Sequence, residues 1–261
     1  MSENNLQVCK NCNEPLKGLY CSHCGEKIVE SQDFSIKIIL TQFFSGLFNI
    51  DAKFYKTFIN LIFKPGKLTV QYIEGVRKPF MKPIQVFLIS NVLFFILLTQ
   101  ADILKIPSKY YFNSGREINI EQKLDKNNYS KVMLMQDFDI KSSNLSKSLV
   151  IIILPLMALV LLVLNFKTKF LYGMHIIFAM HYISFFFICC LMAISVSKLG
   201  NRAVQIFMIS FNFLYLFFAI KKVYKNSYLI SFFKAIILLV SFVGITGFYR
   251  ELISFLSFKS I

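Results

Sequence analysis

Residues 170–197 read FLYGMHIIFAMHYISFFFICCLMAISVS, 28 positions without a single Asp, Glu, Lys or Arg. As a helix this stretch is about 42 Å long, more than the roughly 30 Å hydrocarbon core of a bilayer. Its apolar residues are spread all round the helix rather than gathered in one stripe, as expected of a helix with apolar surroundings on every side. The rest of the chain repeats the pattern. Residues 83–100, 149–165, 204–220 and 228–249 are further apolar blocks. With 56% apolar residues and a mean hydropathy of +0.58, the chain exceeds the roughly 45–50% of soluble domains. The expected fold is an all-α integral membrane protein with about five transmembrane helices over 83–261. Pro155 is a kink candidate in the second span, and Lys234 is positioned to snorkel from the start of the fifth. Residues 101–148 form a polar loop between the first two spans, long enough for a small hairpin and too polar for much core.

Orientation follows from counting charge. An N-terminus inside the cell places 17 of the 29 Lys and Arg on the cytoplasmic side and 12 outside, eight of the latter in the 101–148 loop. That excess obeys the positive-inside rule. The reading is a multi-pass protein of the cell (inner) membrane with a cytoplasmic N-terminus and an extracytoplasmic C-terminus. The first 24 residues carry no apolar stretch of the kind that marks a secretory signal. The formal charge of +15 is spent mostly at the ends of apolar blocks, which argues for headgroup anchoring and against nucleic-acid binding.

Residues 1–30 are of another kind. Cys9-x-x-Cys12 and Cys21-x-x-Cys24 are two thiolate turns separated by eight residues. Together they supply the four sulfur ligands of a tetrahedral zinc site, a small zinc ribbon whose folding depends on its metal. Four thiolates close the coordination shell, so Zn2+ is expected to be structural. Thiolates kept for metal also require a reducing compartment, in agreement with a cytoplasmic N-terminus.

Residues 31–82 link the two. Ile36, Leu40, Phe43, Leu47, Ile50, Phe54, Phe58 and Leu61 recur at helical steps, opposite Lys37, Thr41, Ser45, Asn49, Lys53, Lys56 and Asn60. No run here is long enough to span, so one or two amphipathic interfacial helices are expected. Pro65-Gly66 ends them. A basic collar follows, Lys64, Lys67, Arg77, Lys78 and Lys82, opposed only by Glu74. Its partner is a bilayer surface with anionic headgroups, toward which each such charge contributes about 1 kcal/mol.

Within the spans the intramembrane polar candidates are His175 and His181. Six residues apart, they stand about 240° apart around a helix and cannot jointly hold one metal without other helices. Hydrogen bonding of each neutral imidazole to a neighbouring helix is the expected state. No span has an interior Asp or Glu, and the motifs of zinc proteases, serine hydrolases and nucleotide-binding loops are missing. No catalytic residue is assigned.

The stretch Lys64-Pro65-Gly66-Lys67, then Gln71-Tyr72-Ile73-Glu74-Gly75-Val76-Arg77-Lys78, Pro83 and Phe87-Leu88, lies behind the paired Cys-x-x-Cys turns. Over about residues 9–95 the chain resembles an uncharacterised family of bacterial multi-pass membrane proteins, a domain of unknown function in which a zinc-ribbon head precedes such a Pro-Gly … Tyr-Ile-x-Gly block. The resemblance implies that architecture and no activity. The functional expectation is a membrane-anchored adaptor or regulator whose cytoplasmic zinc ribbon contacts a protein partner. The alternative is a small-solute or lipid transporter using His175 and His181.

Overall fold

The computed structural model describes residues 53–77, 79–97, 104–112, 130–198 and 200–261, with Val8, Cys9, Cys12, Glu14, Pro15, Ser22 and His23 near the N-terminus. The chain divides into two units, Met1–Ala52 and Lys53–Ile261. In the second, the described residues are helical, without a strand. Residues 53–63 form α1. Then come α2 (Lys67–Ile73), α3 (Pro83–Leu97), α4 (Ser108–Tyr111) and α5 (Lys131–Leu149). A 3-10 turn, Val150–Ile152, joins α5 to α6 (Ile153–Leu164), and α7 (Tyr172–Ser197), α8 (Asn201–Tyr224) and α9 (Tyr228–Ser260) complete the order.

Four helical stretches are long and apolar enough to cross a membrane: Lys131–Leu164, Tyr172–Ser197, Asn201–Tyr224 and Tyr228–Ser260. The bundle is therefore membrane-embedded. Its outer faces carry exposed Leu88, Val92, Leu159, Ile206, Ile209, Val240 and Val243, apolar side chains that lipid would cover. Of the five expected spans, the first is the exception. α3 has 15 residues, about 22 Å of helix, short of the hydrocarbon thickness. It buries Pro83, Val86, Phe87, Ser90, Asn91 and Phe94, a stripe at steps of three and four, against α7. Phe94 stacks on Phe187 with ring centroids 4.8 Å apart.

α7 is the central helix. It packs on α3, α6 and α8, and 61% of its most apolar window is buried, against 22–33% for the other three long helices. Small and aromatic residues alternate along it: Ala179 lies at full burial, Phe185 stacks on Tyr215 at 3.8 Å, and Phe186 meets Phe242 edge to face at 4.8 Å. Such ring pairs contribute about 0.5–1.5 kcal/mol each beyond area burial. They matter more in lipid, where apolar burial alone does not favour helix association.

Two sequence expectations change here. Half of the 101–148 loop is helix: α5 runs continuously into α6, and its Leu134 and Phe138, one turn apart, bury completely against Tyr111, Phe112 and Phe258. The Asp139 carboxylate fixes this cap, accepting from the Ser108 amide at 3.0 Å and the Ser108 hydroxyl at 2.7 Å. α9, at 33 residues or about 50 Å, outruns the bilayer and carries Phe258 into the cap. Pro155 acts earlier than its own position, since its missing amide withdraws a donor from Ile151 within the 3-10 turn.

The second change concerns α1. Its buried face is Thr57, Asn60 and Leu61, so of the expected apolar stripe Leu61 is buried while Phe54 and Phe58 are half-buried. Part of the cost of this polar burial is offset: Thr57 Oγ1 accepts from the Met81 amide at 3.1 Å and Asn60 Nδ2 donates to the Lys56 carbonyl, while Asn60 Oδ1 has no partner among the described residues. α1 thus packs on the Phe80–Met81 loop. The part of the expected interfacial region before residue 53 lies outside the described residues.

Candidate functional site

The Pro65-Gly66 turn is the joint of the structure. Gly66 has φ +76°, in the left-handed region, and an added Cβ there would stand 3.0 Å from the Ala219 carbonyl oxygen and 3.2 Å from a Val223 methyl. Glycine is the residue that meets both demands. Beyond the turn, α2 ends in a Schellman motif: Gly75 at φ +90° donates to the Tyr72 carbonyl and the Val76 amide to the Gln71 carbonyl. α3 then starts with Pro83 at its first position and Gln85 accepting from the Lys82 amide at 3.1 Å.

Because the turn rests on α8, the lysines on either side of it face the end of α8. Phe63, Lys64, Pro65, Phe218, Lys221 and Lys222 line an open groove of about 620 Å³. Lys67 stands beside it, half-buried; partial desolvation and the ammonium groups of Lys64, Lys222 and Lys56 hold it below the usual lysine range. Among the described residues, no carboxylate acts on it. The Lys221 ammonium lies 3.2 Å from the Tyr228 ring centroid and that of Lys56 lies 5.4 Å from Phe80.

The expected collar is thus divided. Lys64 lines the groove and Lys67 stands beside it. Arg77 folds back over the Tyr72 ring at 4.7 Å, Lys82 is exposed, and Lys78 lies outside the described residues. Lys221 and Lys222, counted in the sequence only as topology signals, and Lys56, Phe63 and Phe218 were not recognised as neighbours of this site.

His175 and His181 are both buried in α7 and lie on separate contacts. His175 Nδ1 is 2.8 Å from the Tyr224 hydroxyl at the end of α8; His181 Nδ1 is 2.9 Å from Thr69 Oγ1 on α2. The second bond ties the short helix to the central one. Thr69→Val keeps the shape and leaves His181 Nδ1 unpaired, so a loss of about 1–3 kcal/mol is expected in unfolding of the solubilised protein. The double change Thr69→Val with His181→Leu should recover part of that loss.

At the N-terminus Cys9 is buried, its amide donates to the Glu14 carbonyl at 2.9 Å, and Val8 bridges antiparallel to Pro15. Among the described residues no three His, Cys, Asp or Glu side chains gather as metal ligands; Cys21 and Cys24 lie outside those residues.

The model of a family described as protein of unknown function (DUF3667) matches residues 51–95. The match spans α1, the Pro-Gly turn, α2 and nearly all of α3, which is the segment that docks on α7 and α8. It stops short of the cysteine module. No curated protein and no solved structure matches the chain.

Proposed function

We propose that this chain is a membrane-anchored adaptor or regulator. The bundle is its anchor, and the four-cysteine module, as a zinc ribbon on the cytoplasmic side, docks a protein partner. One observation carries the reading: both buried histidines of the bundle hold helix to helix, His175 to Tyr224 and His181 to Thr69. That is the chemistry of a scaffold. A transport role would require altered uptake when either histidine is replaced; the adaptor reading requires changes in stability alone.

The charge distribution supports the orientation. Phe170 and His175 touch Tyr224, so the 165–171 and 225–227 turns share one end of the bundle with the groove. Lys56, Lys64, Lys67, Lys167, Lys169, Lys221, Lys222 and Lys225 belong to that end, which the positive-inside rule assigns to the cytoplasm. α3 serves as a fifth, short crossing, and the C-terminus is extracytoplasmic.

The test is affinity capture of the full-length protein from its own membranes beside the Cys9→Ser/Cys24→Ser variant. A specific protein recovered with the parent, and lost with the variant at equal membrane abundance, is expected. Identical recoveries from both, or none reproducible from the parent, would overturn the adaptor role.

A further inference from the structure

We propose that the groove between the Pro65-Gly66 turn and the end of α8 is a binding site for the phosphate of an anionic phospholipid headgroup. The proposal goes beyond the adaptor reading and beyond a diffuse basic collar: it needs only the bundle, and it stands if the zinc module has no partner. Positive charge on the cytoplasmic side needs no concave surface to set topology. Here Lys64 and Lys67 flank a turn that rests on Ala219 and Val223, and Lys221 and Lys222 lie in sequence between those two residues. A single backbone contact therefore brings the turn that carries Lys64 and Lys67 to the end of α8 that carries Lys221 and Lys222.

Among the described residues, the mutual repulsion of Lys56, Lys64, Lys67 and Lys222 has no carboxylate to relieve it at Lys67. A phosphate diester or monoester would relieve it, accepting several charge-assisted hydrogen bonds at once. The groove walls also suit a lipid better than a soluble phosphoester. Phe63 and Phe218, 74% and 49% exposed, border the lysines with apolar surface, and Phe218 belongs to a membrane-crossing helix. The volume of about 620 Å³ lies within the range of small-molecule sites.

The experiment uses full-length protein in nanodiscs of phosphatidylcholine doped with phosphatidylglycerol or phosphatidic acid, released and weighed by native mass spectrometry. Wild type should retain the anionic lipid over phosphatidylcholine. Lys64→Gln/Lys67→Gln/Lys222→Gln should lower that preference by at least about tenfold. Lys198→Gln/Arg202→Gln/Lys259→Gln, which removes equal charge elsewhere, should leave it unchanged. Equal loss in both triple variants would reduce the effect to general electrostatics and overturn the site. Displacement of the lipid by millimolar inorganic phosphate or glycerol 3-phosphate would overturn the lipid as its occupant. Gly66→Ala keeps every charge and disturbs their spacing. If it remains folded, as judged by helical circular dichroism, its retention should fall with that of the groove variant.

Discussion

Gly66→Val should destabilise the bundle by about 2–5 kcal/mol, seen as a lower unfolding temperature in detergent. Two costs combine. A side chain at φ +76° carries about 1–2 kcal/mol of backbone strain, and forcing new carbon against the Ala219 backbone adds about 1–3 kcal/mol of overpacking. Neither neighbour yields easily, because the closest atoms are backbone of a membrane helix rather than the tip of a flexible side chain. Two other glycines separate the terms. Gly75, at φ +90° with nothing within 4 Å of an added Cβ, should show only the strain when changed to alanine. Gly244, inside α9 with open space around it, should become slightly more stable as alanine. Equal effects at Gly66 and Gly75 would mean that the Pro-Gly turn does not rest on α8.

Cys9→Ser should take the purified protein from about one zinc per chain to almost none. Serine does not ionise near neutral pH, so the substitution removes a thiolate ligand rather than weakening one. The expected energetic consequence is large, since structural zinc in small knuckle domains contributes about 10–16 kcal/mol at neutral pH. With eight residues between Cys12 and Cys21, little apolar burial is left to hold residues 1–30 once metal is gone. Chelation should therefore open the N-terminal unit to protease while helical circular dichroism, dominated by the bundle, hardly moves. Cys24→Ser should behave like Cys9→Ser. A metal-free wild-type protein, purified without chelator, would end the zinc assignment.

The membrane-crossing helices were legible because lipid imposes the same requirement on every exposed face, whatever the neighbouring helix. The Pro65-Gly66 break was legible too, since a proline followed by a residue free to take positive φ is a local signal that ends a helix. The α5 helix was not. Of its four buried residues only Leu134 and Phe138 are apolar, and their partners Tyr111, Phe112 and Phe258 come from other segments. α1 misled for a different reason: Asn60 stands on the expected polar stripe, yet it is buried, with its Nδ2 donating to the Lys56 carbonyl. The groove was half visible. Lys64 and Lys67 stood out beside Pro65-Gly66, whereas Lys221 and Lys222 looked like an ordinary span end. Their meeting depends on Gly66 lying against Ala219, a contact between segments more than 150 residues apart.

The proposed orientation puts the basic end of the bundle in the cytoplasm and makes the short α3 the first crossing. A topology map of full-length and truncated fusions tests it most directly, with a fluorescent protein that matures only in the cytoplasm and a phosphatase active only outside. Fusions before residue 1 and after Asn226 should fluoresce with no phosphatase activity; those after Gly200 and Ile261 should be phosphatase-active and dark. A fluorescent fusion after Ile261 together with a fluorescent N-terminus would mean an even number of crossings and contradict the account.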